Sequence, residues 1–140
     1  MLYLDTSIIV ALHVHEPHTV RVVTWLKMRD PADLSISPWA AVEFASALAL
    51  KVRTGQIDEG ERTIAQASFR ELLLPSLEVL AIESPDYHRA TTMVEVDRHG
   101  LRAGDALHLA IAERHRRTVL TLDQGMATSG RALGLRIATP

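Results

Sequence analysis

Cysteine is absent from the 140 residues of this chain. Its absence excludes a disulfide framework, a thiolate zinc site and a cysteine nucleophile. It also fits a reducing cytosol, and the N-terminal segment lacks the basic region and cleavage site of a signal peptide, so we expect a cytoplasmic protein. No apolar run approaches the roughly 18 residues that suggest a membrane span, and we expect no membrane partner.

A strong positive charge is also lacking, because the formal net charge is −2. Proteins that bind duplex nucleic acid through a broad basic face are normally more positive. The sequence also lacks a P-loop, the glycine pattern of dinucleotide-binding enzymes and the nucleophile elbow of α/β hydrolases. Any contact with nucleic acid is therefore expected to be local and helped by bound cations.

Short apolar runs alternate with longer segments of helical pattern along the whole chain. The runs predicted as strands begin at Leu2, Leu34, Leu77, Thr118 and Leu135. Strands that alternate with helices indicate an α/β fold with a mainly parallel sheet. We therefore predict a single domain over residues 1–140, with about four to five mainly parallel strands in a central sheet flanked by helices.

Two of the predicted strands run directly into an aspartate, Asp5 after the first and Asp123 after the fourth. In open parallel sheets, ligands bind outside the carboxyl ends of the strands. If both strands are central and parallel, both carboxylates reach one crevice. The alternative is that each aspartate only caps the helix that follows it.

Glu43 is the only charged residue between Pro38 and Leu50. A helix that is apolar nearly all round is usually buried. A buried carboxylate is costly unless it is paired or bound to a cation, so Glu43 should lie beside an arginine, a metal or a cleft. A structural ion pair is the alternative to a functional site.

Asp105 lies near the predicted start of another helix, directly after Gly104. A glycine at that place lets another part of the chain or a ligand come close. Asp105 could also be an ordinary acid in a first helical turn, where the helix dipole favours negative charge.

Together these four acids make a cation site plausible. Clustered carboxylates repel one another and hold protons unless a divalent cation neutralises them. Oxygen ligands suit Mg²⁺ or Mn²⁺ better than zinc. Such an ion can activate a water and stabilise charge on a phosphate, which points to phosphodiester hydrolysis.

The order and spacing of these acids resemble the PIN-domain nucleases of the VapC type, the toxin half of a type II toxin–antitoxin pair. The resemblance covers nearly the whole chain. It rests on Tyr3-Leu4-Asp5-Thr6-Ser7, on the lone Glu43, on the segment Leu101–His108 that contains Asp105-Ala106-Leu107, and on Thr121-Leu122-Asp123.

The resemblance implies a Mg²⁺-dependent endoribonuclease, in which Mn²⁺ can substitute. Asp5, Glu43, Asp105 and Asp123 would be both the metal-binding and the catalytic residues. It also implies a homodimer and a small cognate antitoxin protein that occludes the cleft. Thr121 would orient Asp123 through its hydroxyl, and Thr6 and Ser7 would do the same for Asp5 unless they only cap a helix.

The roles of five further residues stay open at this point. Arg102 could bind a phosphate of the substrate or neutralise the acids. His108, three residues after Asp105, could contact substrate or be structural. The turn that carries His13, His15 and His18 could bind metal, but its spacing matches no firm motif.

Two other functions remain as alternatives. One is a small-molecule phosphohydrolase with Asp5 as its nucleophile. The other is a non-catalytic module whose acids bind metal structurally or bind arginines of a partner protein.

Overall fold

The computed structural model describes residues 1–140, and its centre is a parallel sheet of five strands. Its strands are β1 (Leu2–Leu4), β2 (Leu34–Ile36), β3 (Glu78–Val79), β4 (Thr118–Leu120) and β5 (Ile137–Ala138). Its helices are α1 (Thr6–His13), α2 (Thr19–Leu26), α3 (Pro38–Arg53), α4 (Glu59–Ser68), α5 (Ser84–Val96), α6 (Ala103–Arg114) and α7 (Gln124–Ala132). The prediction of an α/β fold with a mainly parallel sheet is confirmed.

The strand order across the sheet is β3-β2-β1-β4-β5, and every neighbouring pair is parallel. From β1 the chain first builds outward through β2 and β3. It then returns to the other side of β1 for β4 and β5. The change of direction lies between β1 and β4, and such a switch point is where open α/β sheets bind ligands.

Adjacent residues of the central strands point to opposite faces of the sheet, and each face has its own apolar cluster. Leu4 and Leu120 pack with side chains of α1, α3 and α4 on one face. Tyr3 and Val119 pack with side chains of α5, α6 and α7 on the other. The strands that carry the candidate acids are therefore fixed by core packing on both sides.

Local sequence signals account for several of the helix ends. Asp58 caps α4 and forms a reciprocal capping box with Glu61. Gly55 follows α3 with a φ of +70°, a backbone conformation that glycine adopts without a side-chain clash. No helix of the structure combines the length and the apolar character that a membrane-spanning segment needs.

Candidate active site

Asp5 and Asp123 lie at the carboxyl ends of neighbouring strands. β1 pairs with β4 in parallel register, Leu4 opposite Leu120. Asp5 follows β1 directly, and its backbone N–H donates to the carbonyl of Leu120 at 3.2 Å. Asp123 comes three residues after that same Leu120. Both aspartates are thus at the switch point of the sheet, as their positions at the ends of predicted strands suggested.

The Asp5 carboxylate is buried, with 5% of the residue exposed. Its Oδ1 accepts hydrogen bonds from Ser7 Oγ at 2.6 Å and from the Ile8 backbone N–H at 3.3 Å. Its Oδ2 accepts one from Thr121 Oγ1 at 2.9 Å. Burial raises the pKa of Asp5 above its ordinary value, although the hydrogen bonds from Ser7 and Thr121 oppose the rise. A carboxylate has about four acceptor sites, so Oδ2 keeps one for another ligand.

Thr121 connects the two aspartates. Its hydroxyl donates to Asp5 and accepts the backbone N–H of Asp123 at 2.9 Å. Oδ1 of Asp123 accepts the Met126 N–H at 2.8 Å and so caps α7. The sequence left capping and ligand binding as alternatives, but capping occupies only one oxygen of Asp123. The other oxygen receives no hydrogen bond from the chain.

Glu43 reaches the same region from α3. Its Oε2 accepts hydrogen bonds from Thr6 Oγ1 and from His108 Nε2, each at 2.6 Å. Its Oε1 lies only 2.6 Å from the point where a Cβ at position 104 would be, so Gly104 makes room for this carboxylate. Burial alone would raise the pKa of Glu43, but the hydrogen bonds from His108 and Thr6 outweigh it and lower the pKa. The Trp39 indole N–H favours the charged form as well, although it is not aligned for a hydrogen bond.

Asp105 lies in the first turn of α6, half-buried, and receives no hydrogen bond from the chain. Burial and then the charge of Asp123 raise its pKa, and Glu43 adds to the rise. His108 and Arg102 act in the opposite direction. The negative charges of Asp123 and Glu43 are therefore close enough to disfavour a negative charge on Asp105.

Four predictions made from the sequence need correction. The Thr6 hydroxyl donates to Glu43 and not to Asp5. The Thr121 hydroxyl donates to the Asp5 carboxylate and meets Asp123 only at its backbone N–H, so it does not orient the Asp123 carboxylate.

His108 was a candidate for substrate contact, but it is 1% exposed and hydrogen-bonded to Glu43, which favours the structural alternative. Glu43 was expected to lie beside an arginine, a metal or a cleft, and its partner within the chain is this histidine. Helix α3 is not buried all round, because Val42 and Leu50 are 59% and 48% exposed.

The remaining predicted residues have simpler positions. Ser7 orients Asp5, and its Oγ also accepts the Leu122 N–H at 2.9 Å. Arg102 is exposed just before α6, on the side of the acids. Among the three histidines of the early turn, His13 donates its ring N–H to the Ile9 carbonyl at 2.8 Å.

The donor set fits a hard divalent cation. It consists of carboxylates alone, and both Oε1 of Glu43 and the whole Asp105 carboxylate lack hydrogen-bond donors within the chain. No three His, Asp or Glu side chains are grouped closely enough in this structure to hold one ion, so no coordination geometry follows from it. The fit therefore rests on the chemistry of the donors and on their mutual repulsion.

A cleft of about 320 Å³ opens beside Asp123. Thr6, Ser7, Leu122 and Asp123 line it on the side of the sheet, and His18 lines it further out. A larger cavity of about 470 Å³ lies between α3, α5 and α6 and is mostly apolar. Of the two, only the smaller cleft reaches a candidate metal ligand, Asp123.

Comparison with known proteins agrees with this arrangement. The family model described as the PIN domain matches residues 2–130, which include all four acids. The chain belongs to the PIN domain family. The resemblance inferred from the sequence is thereby confirmed.

One individual relative shows to which group of PIN domains this chain is related. The chain is 30% identical over 145 residues to ribonuclease VapC47 of Mycobacterium tuberculosis, and the match covers 100% of this chain and 97% of the relative. This PIN domain is therefore related to the VapC ribonuclease toxins.

Two solved structures share the fold. One is VapC20 of Mycobacterium tuberculosis, a toxin that cleaves the sarcin-ricin loop, with a TM-score of 0.74, 16% identity and 100% of each chain covered. The other is a toxin–antitoxin complex from Klebsiella pneumoniae, with a TM-score of 0.62, 19% identity, 88% of this chain and 87% of that chain covered.

Proposed function

We propose that this PIN domain is a Mg²⁺-dependent endoribonuclease and the toxin of a type II toxin–antitoxin pair. The observation that carries the proposal is the unpartnered, half-buried carboxylate of Asp105, whose pKa is raised by burial, by Asp123 and by Glu43. Such a group is costly in a fold unless a cation neutralises it. The relation to a ribonuclease makes RNA the substrate class to test.

Asp5, Glu43, Asp105 and Asp123 would hold the ion and are the proposed catalytic residues. When bound, the ion supplies the Lewis acidity that makes water a competent nucleophile at neutral pH and offsets charge on the phosphate. Ser7 and Thr121 keep Asp5 in one orientation through hydrogen bonds to its two oxygens. The exposed guanidinium of Arg102 would bind a phosphate of the RNA backbone.

The burial of Asp5 argues against the small-molecule phosphohydrolase. A nucleophilic aspartate has to approach phosphorus with a free oxygen. Asp5 is 5% exposed, and both of its oxygens already accept hydrogen bonds. It is better suited to bind an ion than to attack a substrate.

The purified chain is expected to cleave total cellular RNA with Mg²⁺ or Mn²⁺ and not with a chelator. Asp5→Asn is the inactive control, because the amide keeps the shape of the side chain and removes the charge that binds the ion. Metal-dependent cleavage that this variant loses would support the proposal. If well-folded protein freed of any partner cleaves no RNA, the non-catalytic binding module becomes the better explanation.

We also propose that the chain forms a homodimer, binds a small cognate antitoxin and acts in the cytoplasm. Similarity to a chain of a toxin–antitoxin complex supports the antitoxin. Exposed apolar side chains on α3 and α5 support self-association: Val42, Leu50, Tyr87 and Val94 are between 40% and 59% exposed.

Light scattering on the purified chain is expected to give twice the monomer mass of 15.5 kDa. Val42→Arg should shift that mass to the monomer, because a charge on α3 would have to be buried in the interface. Ile64→Arg, at an exposed apolar position of α4, is the matched control and should leave the dimer intact. A monomeric wild-type chain would refute the homodimer but would not contradict the nuclease proposal.

A further inference from the structure

A buried chain of hydrogen bonds leads from the end of β2 to Glu43. Ser37 Oγ and the Tyr3 hydroxyl are 2.7 Å apart, and the Tyr3 hydroxyl and His108 Nδ1 are also 2.7 Å apart. His108 Nε2 is 2.6 Å from Glu43 Oε2. Ser37, Tyr3 and His108 are each no more than 1% exposed, so water does not compete for these hydrogen bonds.

The chemistry of the groups gives this chain one direction when the imidazole is neutral. An ionised carboxylate only accepts hydrogen bonds, so His108 Nε2 must carry the hydrogen. Nδ1 then has a free lone pair and accepts the hydrogen of the Tyr3 hydroxyl. The Tyr3 oxygen in turn accepts from Ser37, the outermost donor of the chain. The Tyr3 hydroxyl therefore stabilises the same imidazole tautomer that Glu43 requires and fixes the plane of the ring.

The two oxygens of Glu43 are treated differently by their surroundings. Oε2 accepts from both His108 and Thr6, at 2.6 Å each. Oε1 accepts from neither and lies over Gly104 at the start of α6. One oxygen is thus held in place while the other stays available, which is the arrangement expected of a carboxylate that binds a cation through a single oxygen.

We propose that Ser37 and Tyr3, acting through the imidazole of His108, are positioning residues that hold Glu43 so that its Oε1 would stay available to a divalent cation. The direction of the hydrogen bonds can be tested without metal. The consequence for the cation rests on the proposed function.

The first experiment measures the tautomer of His108 in the metal-free protein by nitrogen-15 NMR of the imidazole rings. His108→Gln identifies the resonances of this ring among those of the seven histidines. Wild type is expected to carry the hydrogen on Nε2, and Tyr3→Phe is expected to weaken that preference, because Nδ1 loses its donor while Glu43 still accepts from Nε2. Tyr87→Phe changes the other tyrosine of the chain, whose hydroxyl makes no hydrogen bond to His108 or the acids, and serves as the matched control. Hydrogen on Nδ1 in the wild-type protein would overturn the proposed direction.

The second experiment measures Mn²⁺ affinity by calorimetry, without RNA. Removing a group that orients a metal ligand typically weakens metal binding by about 10- to 100-fold. We expect a loss in that range for His108→Leu and Tyr3→Phe, and none for Tyr87→Phe. His108→Gln should bind more tightly than His108→Leu, because the glutamine amide places an N–H donor near the position of Nε2.

The outcomes separate this proposal from the function on which it rests. Folded Tyr3→Phe and His108→Leu proteins that bind Mn²⁺ as wild type does would overturn the positioning role, with the nuclease proposal intact. A wild-type chain that neither binds Mn²⁺ nor cleaves RNA would overturn the proposed function and, with it, the role toward a cation. Tyr3→Phe alters a single hydroxyl, so it keeps the test valid if His108→Leu fails to fold.

Discussion

Replacing Asp105 by asparagine is expected to abolish metal-dependent RNA cleavage and to leave the metal-free protein at neutral pH at least as stable as wild type. Losing a group that merely supports a metal ligand costs about 10- to 100-fold in activity. Losing a ligand itself should cost more. The gain in stability has a separate cause, because burial, Asp123 and Glu43 all disfavour a negative charge at position 105.

The pH dependence of this difference has a definite sign. The pKa of Asp105 is raised in the folded chain, so the folded state holds this proton at pH values where the unfolded state has lost it. Below the ordinary aspartate value of about 3.9, both states are protonated and the charge makes no difference. As the pH rises through the folded pKa, wild type loses stability relative to Asp105→Asn, and the gap then stays constant.

Urea denaturation at pH 4 and pH 7.5 measures this gap directly. Mg²⁺ at pH 7.5 should reverse this difference in stability. An ion that binds only the folded state raises the free energy of unfolding of wild type, and it raises that of the variant far less. Glu59→Gln is the matched control for the helix dipole, since Glu59 is an exposed acid in the first turn of α4. If Asp105→Asn cleaves RNA at the wild-type rate, Asp105 is not part of the metal site.

The positions of Asp5 and Asp123 could be predicted because they depend on local signals. A strand of apolar residues that ends in an acid places that acid at the carboxyl edge of a parallel sheet, whatever the rest of the chain does. That β1 and β4 are neighbours is a different matter. Strand order depends on how the helices pack across both faces, and no local pattern records it.

The sequence also indicated that Glu43 lies beside an arginine, a metal or a cleft, but not that a histidine would be its partner within the chain. A lone acid in an apolar helix is a local observation, whereas His108 lies 65 residues further along the chain. Tyr3 and Ser37 were missed for the same reason: each is a polar residue at or next to a strand, and only the fold brings both to His108.

Helix α3 was expected to be buried, but one of its faces is exposed. The physical reason for this error applies to other proteins as well. Apolar residues line a helix face when that face is covered, and hydrophobicity alone does not distinguish the protein's own core from a second molecule. Phe44 and Leu48 are buried in the core, while Val42 and Leu50 on the same helix are exposed.

Replacing Gly104 by alanine is expected to reduce RNA cleavage by about 10- to 100-fold with little loss of stability. The added Cβ would lie 2.6 Å from Glu43 Oε1, well inside van der Waals contact. Glu43 cannot simply turn away, because its Oε2 is held at 2.6 Å by both His108 and Thr6. The carboxylate must therefore give up a hydrogen bond or move Oε1 from its place over α6.

The change in stability is the sum of two opposing effects. Alanine favours a helix over glycine by up to about 1 kcal/mol. Displacing Glu43 costs on the order of one hydrogen bond to a charged group, about 1.5–3 kcal/mol, and the 28% exposure of its side chain reduces that cost because water can replace the lost donor. A net change within about 1–2 kcal/mol is expected by urea denaturation.

Gly60→Ala is a closely matched control for Gly104→Ala. Gly60 is the second residue of α4, as Gly104 is of α6, but it is exposed and its added Cβ would lie 3.1 Å from Asp58 Oδ1 rather than near the acids. Gly60→Ala should therefore show the helix effect and keep full cleavage and Mn²⁺ affinity. If Gly104→Ala keeps both as well, the position of Glu43 over α6 does not matter for the reaction. If only Gly104→Ala loses cleavage and Mn²⁺ affinity, the space left by this glycine is needed to place Glu43 in the site.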